Sequence, residues 1–168
     1  KTQGRSTKTK TPVFGMMERT KVLTLNGYET MTYVRAIVVE NTNRDTLMPI
    51  VQQFVEEGTT VFTDELNSYK HLNELGYNHK VCNHSNFEFV CEGKVYTNNI
   101  EGFWSHFRRM IIGCYHNVSD EHLQSYVDEA CFRWNTRKMS ESDRFAQMFE
   151  AAIGLIKQNR EFILCNAA

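Results

Sequence analysis

The first part of the chain holds two runs of β-branched and apolar residues that a turn signal separates. The runs cover residues 12–19 (PVFGMMER) and 32–40 (TYVRAIVVE). Asn26 and Gly27, which lie between them, form a strong turn dipeptide. The pattern predicts a β-hairpin.

The spacing of apolar positions then changes from that of a strand to that of a helix. Apolar residues follow one another at i, i+3, i+4, i+7 and i+8 from Leu47 to Val55. Thr46 can cap such a helix, Pro49 is tolerated in a first turn, and Gly58 is a stop signal. We therefore expect a helix of about three turns.

Short elements of alternating type follow this helix. Residues 59–63 (TTVFT) predict a strand that ends at Asp64, residues 67–75 predict a helix stopped by Gly76, and residues 77–83 predict another strand. The order strand, helix, strand, helix, strand is typical of a partly parallel sheet with helical cover. The fold class predicted from the pattern is α/β.

The last third of the chain is predicted to be helical, because apolar residues form three stripes at helical spacing. The stripes are Ile100, Phe103, Trp104, Phe107 and Ile111; Leu123, Tyr126, Val127, Ala130 and Trp134; and Phe145, Met148, Phe149, Ala152, Ile153 and Ile156. Trp104 and Trp134 lie on these stripes, which favours core packing over the stacking of nucleic-acid bases.

Composition narrows the class of protein. With 168 residues, 41% hydrophobic and 23% charged, the chain is typical of a globular domain, and it holds no apolar run as long as a membrane span. Five cysteines without a CxxC pair, and no export signal, predict reduced thiols and a cytoplasmic location. The net charge of −1 is unevenly distributed, because residues 1–21 carry six bases and one acid.

Asp64 is the first candidate for chemistry. It follows an apolar strand, and ligands gather at the carboxyl ends of strands in open α/β sheets. A carboxylate there is a suitable ligand for Mg²⁺. The alternative is a local role, since aspartate is also a favoured helix cap.

Glu101 is the second candidate. Asn98, Glu101, Ser105 and Arg108 are spaced so that they form one polar strip on a predicted helix. The alternative is again local, because Asn98 and Glu101 have the spacing of a capping box. Asp64 and Glu101 stand 37 positions apart, and two carboxylates delivered from a strand end and a helix can share the divalent metals that two-metal phosphoryl transfer needs.

An ordered series of short motifs extends from about residue 12 to residue 149. It comprises Thr63-Asp64-Glu65 with Tyr69; His84 with Phe89-Val90; residues 97–104 (TNNIEGFW); Gly113; Tyr115-His116; Val118-Ser119; His122-Leu123; Tyr126; Glu129; and Phe132-Arg133-x-Asn135-x-Arg137. The series resembles the DDE-class insertion-sequence transposases, in the ISXO2-like bacterial group related to eukaryotic Merlin elements.

The resemblance implies a ribonuclease-H-like mixed sheet with flanking helices. By the same resemblance Asp64 is the second catalytic carboxylate and Glu101 the third, and Asn98 lies beside the metal site. Arg108 stands where the family usually has lysine. Tyr96 stands where the family has histidine, so a role of that histidine is not carried over to Tyr96.

The family's first catalytic aspartate lies on a first strand, upstream of a basic linker. No residue before Pro12 is acidic. We therefore expect the first strand and its aspartate to be missing here, and the chain by itself to bind metal weakly and to be nearly inactive. The expected domains are a basic linker at residues 1–11, an incomplete catalytic domain at 12–160 and a tail at 161–168.

Several other residues are candidates for contacts with DNA. His84 suits proton transfer or a DNA contact, although a plain surface histidine is the more common case. The basic candidates are Arg108, Arg109, Arg133, Arg137, Lys8 and Lys10. Zinc bound by Cys82, His84 and Cys91, or by Cys114 and His116, is disfavoured because the ligand spacings are not paired.

The expected function is DNA transposition with two Mg²⁺ or Mn²⁺ ions, by cleavage of a phosphodiester at a transposon end and attack of the freed 3′-hydroxyl on target DNA. The expected partners are transposon-end and target DNA and further copies of the chain in a synaptic complex, in the bacterial nucleoid, with no membrane. A related nuclease and a non-catalytic DNA-binding remnant remain as alternatives.

Overall fold

The computed structural model describes residues 10–25, 27–82 and 98–165, from residue 154 onward through the backbone only. The chain divides into two compact units, Lys1–Trp134 and Asn135–Ala168. The first holds all the strands of the described residues and three of their α-helices, and the second holds one long helix. No helix in the described ranges is both long and apolar enough to cross a membrane.

The first unit begins with the predicted hairpin. Strand β1 (Val13–Thr24) pairs antiparallel with β2 (Gly27–Val38), from Val13 opposite Val38 to Thr24 opposite Gly27. Gly27 adopts a φ of 110°, which favours glycine, and the Thr24 hydroxyl donates a hydrogen bond to the Gly27 carbonyl at 2.7 Å. The hairpin prediction is confirmed, and both strands continue to the turn, well beyond the apolar runs.

Helix α1 (Arg44–Phe54) begins two residues before the predicted cap. Thr46 is helical, and its hydroxyl donates to the Asn41 side chain at 2.7 Å. Asn43 occupies the N-cap position. Pro49 therefore lies inside the helix and not in its first turn, where it leaves the Asp45 carbonyl without the usual helical partner. The prediction that Thr46 caps this helix is wrong.

A parallel pair of short strands follows α1. Strand β3 (Thr60–Thr63) pairs with β4 (Asn78–Val81), and the register places Thr63 opposite Val81. This pair confirms the predicted parallel element. The connection between the strands is not the predicted helix but two 3₁₀ turns, Asn67–Tyr69 and Asn73–Leu75.

The error in the connection has a physical cause. Asparagine and serine compete for backbone hydrogen bonds and so favour turns over a continuous helix. Asn67 and Asn73 each begin a 3₁₀ turn, and the Ser68 hydroxyl donates to the Thr42 carbonyl at 2.6 Å. Gly76, at a φ of 86°, ends the second turn as predicted.

Helices α2 (Asn98–Met110) and α3 (Leu123–Asn135) complete the first unit. A π-helical turn at Ile111–Tyr115 extends α2, and a 3₁₀ turn at Asp120–His122 precedes α3. Both helices lie where the apolar stripes predict them.

The hairpin lies between two hydrophobic cores. One of its faces carries Phe14 and Ile37, which pack with α1 and with the connection between β3 and β4. The other face carries Val34, Ala36 and Val38, which pack against α2 and α3. Alternate residues of a strand point to opposite faces, and so the same two strands serve both cores.

Helix α3 is tied to the backbone of β2 by one side chain. The Gln124 side-chain oxygen accepts a hydrogen bond from the Val38 N–H at 2.7 Å, and its amide nitrogen donates to the Ala36 carbonyl at 3.3 Å. These bonds satisfy the N–H of Val38 and the carbonyl of Ala36, which a further strand beside β2 would otherwise pair.

The second unit contains α4 (Glu141–Cys165). Ser140 begins it, since its hydroxyl accepts a hydrogen bond from the Asp143 N–H at 3.2 Å and donates to that residue's carboxylate at 2.6 Å. Phe145, Met148 and Phe149 of the third apolar stripe are exposed, Phe145 by 62%. Helical spacing therefore predicts the helix here but not a buried face.

The described residues thus form a mixed α/β structure with two sheets of two strands each. An α/β class with a parallel pair and flanking helices agrees with the sequence. The sequence did not predict that the hairpin and the parallel pair form two separate sheets.

Candidate functional site

Asp64 directly follows β3, at the carboxyl edge of the parallel pair. Its side chain is partly buried, and its Oδ1 accepts a hydrogen bond from the Leu66 N–H at 3.2 Å. The Asp64 carbonyl accepts from the Thr63 hydroxyl at 2.8 Å. The carboxylate therefore stabilises the turn that leads into the first 3₁₀ turn, and this bond also fixes its direction. Asp64 is not a helix cap, because Leu66 occupies the N-cap position of that turn and no side chain caps it.

Strand β4 contacts Thr63, the residue directly before Asp64, through the side chain of His79. The Thr63 oxygen lies 2.8 Å from His79 Nε2. A hydrogen bond between these two atoms ties β4 to the end of β3. Burial lowers the pKa of His79, which favours the neutral ring. His79 thus contacts the residue next to the candidate carboxylate, and no motif in the sequence pointed to it.

Glu101 lies in the first turn of α2, as predicted, and is exposed. Asn98 is the first described residue of this helix, and the residues before it, at 83–97, lie outside the described part of the chain. Ser105 and Arg108 are exposed on the polar strip with Glu101, while Phe103 of the apolar stripe is fully buried. The helix therefore presents the described members of the strip, Glu101, Ser105 and Arg108, to solvent.

The apolar stripe fixes α2 to the hairpin. Phe103 packs edge-on against Trp104 at 5.0 Å and against Trp134 of α3 at 5.8 Å between ring centroids. The indole N–H of Trp134 donates to the Thr32 hydroxyl of β2 at 3.2 Å. Both tryptophans belong to the core, which confirms packing over base stacking.

The basic candidates occupy different settings. Arg108 and Arg109 are exposed in the last turn of α2, and Lys10 and Arg137 are also exposed. The Arg133 guanidinium is paired with Glu129, with a nitrogen–oxygen distance of 2.8 Å. Lys8 and His84 lie outside the described residues, and so does Cys91.

A network around Glu129 was not foreseen as a structural unit. The Tyr115 hydroxyl donates to Glu129 Oε2 at 2.6 Å, and Arg133 donates to Oε1. The Tyr115 bond, assisted by Arg133, lowers the pKa of Glu129, and the same bond raises the pKa of Tyr115. Tyr115, Glu129 and Arg133 all stand in the motif series, and their contacts join the π-helical turn to α3.

The described thiols and acids do not form a metal cluster. Cys82 and Cys131 are buried thiols, and Cys114 is an exposed thiol. Burial raises the pKa of Cys131 to about 11. Within residues 10–25, 27–82 and 98–165, no three His, Cys, Asp or Glu residues are grouped so that they could hold a metal ion.

Comparisons with known proteins show which family the chain is similar to. The family model described as the ISXO2-like transposase domain matches residues 1–135. An uncharacterized transposase-like protein of Haemophilus influenzae is 31% identical over 106 residues, which are 63% of this chain and 84% of that protein. No solved structure matches the chain significantly.

Proposed function

Since the chain belongs to the ISXO2-like transposase family, we propose that it cleaves DNA phosphodiesters at transposon ends and joins the freed 3′-hydroxyl to target DNA. The observation that carries the proposal is the position of Asp64 at the carboxyl end of a strand in the parallel pair. That edge is where α/β sheets place catalytic groups.

Asp64 and Glu101 are the proposed metal ligands, with the Asn98 amide beside them. Their donors fit Mg²⁺ or Mn²⁺, which prefer carboxylate and amide oxygens. The hydrogen bond from Leu66 holds the Asp64 carboxylate in one direction, as a metal ligand requires. Two bound ions would stabilise the attacking and leaving oxygens of the phosphodiester.

The fold that we propose for the whole catalytic domain is ribonuclease-H-like. The directions of the described strands support this proposal: a strand antiparallel to β1 and parallel to β3 would join the two sheets into one mixed sheet. In the family such a strand carries the first catalytic aspartate. Helices α1 and α2 already pack against opposite faces of the hairpin, as a flanked sheet requires.

The chain's own cations would position the substrate. Arg108 and Arg109 are exposed on the same helix as Glu101, each about two turns from it. Both suit contacts to DNA phosphates. Arg133 is a weaker candidate for this role, because Glu129 already binds its guanidinium.

Strand transfer by the protein that contains this chain and the first aspartate tests the proposal. Asp64→Asn and Glu101→Gln keep the shape of each side chain and remove its charge. We expect each to lower transfer on transposon-end DNA by about 10²-fold or more, because metal ions supply several kcal/mol of transition-state stabilisation. Asp120→Asn, at an exposed acid before α3, is the matched control and should keep full activity.

Undiminished transfer by either variant would refute the assignment. The products distinguish the related activities: joined DNA supports a transposase, and cleavage without joining indicates a nuclease. A protein that binds DNA but forms neither product would be the non-catalytic remnant.

A further inference from the structure

The outer part of the hairpin projects beyond both hydrophobic cores. We call Glu18–Thr24 together with its paired strand, residues 27–33, the β-arm. All of its described residues are exposed apart from Thr32, which is partly buried. Seven residue pairs at about 3.4 Å per residue make an arm of roughly 24 Å. Large apolar side chains are exposed near its tip, with Leu23 at 70% and Tyr28 at 78%.

The two faces of the β-arm differ in chemistry. The register places three cross-strand pairs on one face, Arg19 with Thr32, Lys21 with Thr30, and Leu23 with Tyr28. This basic face carries two cations, three hydroxyls (those of Thr30, Thr32 and Tyr28) and no acid. The opposite face carries both acids of the arm, and its pairs are Glu18 with Tyr33, Thr20 with Met31, Val22 with Glu29, and Thr24 with Gly27.

We propose that the basic face of the β-arm binds duplex DNA. A two-stranded antiparallel ribbon fits the major groove, which is about 12 Å wide. In that position Arg19 and Lys21 would reach phosphates or base edges, and the threonine hydroxyls would donate to phosphate oxygens. The proposal rests on the proposed function only in its choice of DNA as the ligand of the protein.

The charge distribution favours DNA over a second copy of the chain. Two basic faces would repel each other, and the same holds for two acidic faces, so a symmetric pairing of arms brings like charges together. DNA is complementary to the basic face and is repelled by the acidic one. The asymmetry therefore specifies which face of the arm meets the duplex.

The apolar tip adds a contribution that does not depend on charge. Leu23 and Tyr28 lie side by side at the outer end of the basic face. Exposed leucine and aromatic side chains beside cations are suited to contact thymine methyl groups or base faces. We expect this pair to strengthen binding without releasing counterions.

The experiment measures binding of this chain to a fluorescein-labelled 30-base-pair duplex of mixed sequence, in EDTA, by anisotropy at several salt concentrations. Loss of two phosphate contacts makes the slope of log K against log[salt] shallower by about 1.8. We therefore expect Arg19→Ala/Lys21→Ala to raise Kd by about 10- to 60-fold at 0.1 M salt. Leu23→Ser/Tyr28→Ser should raise Kd and leave the slope unchanged.

Arg44→Ala/Lys70→Ala is the matched control, because it removes two exposed cations outside the β-arm. It should leave Kd within about twofold of the wild type. Equal losses in the control and in the arm variant would overturn the proposal, as would an unchanged Kd and slope in the arm variant or no binding by the wild type. An arm variant that binds DNA normally but loses self-association in sedimentation would assign the arm to a second copy.

The test of DNA binding by the β-arm does not depend on the test of catalysis by Asp64. Binding is measured without divalent metal, and Asp64→Asn should bind the duplex as the wild type does. Full strand transfer by Asp64→Asn would refute the catalytic assignment and leave the arm's binding intact. Urea unfolding of each arm variant checks that the fold is retained, which the exposure of these side chains favours.

Discussion

Gly15 of β1 shows how one residue fixes the approach of a helix to the hairpin. A Cβ atom at this position would overlap Trp104 Cζ2. The missing side chain therefore makes room for the indole, and the indole fills the space above the strand. Sequence reasoning placed Trp104 in a core by its helical spacing, but it had no means to find the partner, since the two residues are far apart in the chain.

Substitution of Gly15 tests this packing. Gly15→Ala forces the tryptophan or the strand to move, and overpacking of this kind costs about 1–3 kcal/mol. We expect the free energy of unfolding in urea to fall by that amount. Gly113→Ala is the control, because a Cβ there meets nothing within 4 Å. Equal stability of the two variants would show that the contact does not constrain the core.

At the scale of elements, the network around Glu129 fastens the end of α2 to α3. The π-helical turn brings Tyr115 to Glu129, and its ring also packs against Tyr126 with centroids 4.5 Å apart. The sequence showed these residues as members of a motif series without indicating their contacts. The spacing of apolar residues does not distinguish a π-helical turn from an α-helix, and so the contact between Tyr115 and Glu129 could not be derived from it.

The network also predicts a dependence of stability on pH. The pKa of Glu129 is lowered in the folded state, so its stabilising contribution is present above the unfolded-state pKa near 4.5 and is lost as the pH falls through the folded value. Tyr115→Phe removes the principal cause of that shift. We expect the variant to lower the urea midpoint at pH 7 and to lower it by less at pH 3.

Tyr126→Phe is the comparison for that measurement, because it changes a neighbouring ring without removing the hydrogen bond to Glu129. Its effect on the midpoint should be the same at both pH values. A Tyr115→Phe effect that does not change between pH 3 and pH 7 would contradict the coupling between the hydroxyl and the carboxylate.

The elements themselves were predictable to different degrees. The hairpin, α1, the parallel strands and the later helices follow from period, turn dipeptides and glycine stops. The helix predicted at residues 67–75 was wrong, because Asn67 and Asn73 begin separate turns. The length of the hairpin was missed as well, since its outer half carries polar and charged residues that are held by backbone pairing and not by a core.

At the scale of the molecule, the net charge of −1 conceals an uneven distribution. Arg19 and Lys21 lie together on one face of the β-arm, while the carboxylates that we propose as metal ligands lie on the body of the first unit. The sequence identified Asp64 and Glu101 as chemistry-bearing residues and their elements as a strand end and a helix. It could not show that Asp64 is oriented by the Leu66 N–H or that His79 supports its neighbour, because both contacts depend on tertiary geometry.

A change of metal preference tests whether Asp64 holds a catalytic divalent metal. Asp64→Cys replaces an oxygen ligand by sulfur, which Mg²⁺ binds poorly and Mn²⁺ accepts better. In the protein that carries this chain with the first aspartate, we expect strand transfer by this variant to fall about 10²-fold or more in Mg²⁺ and to recover at least tenfold in Mn²⁺, with Asp120→Cys unaffected in both metals. Full strand transfer by Asp64→Cys in Mg²⁺ would show that the Asp64 carboxylate is not a catalytic metal ligand.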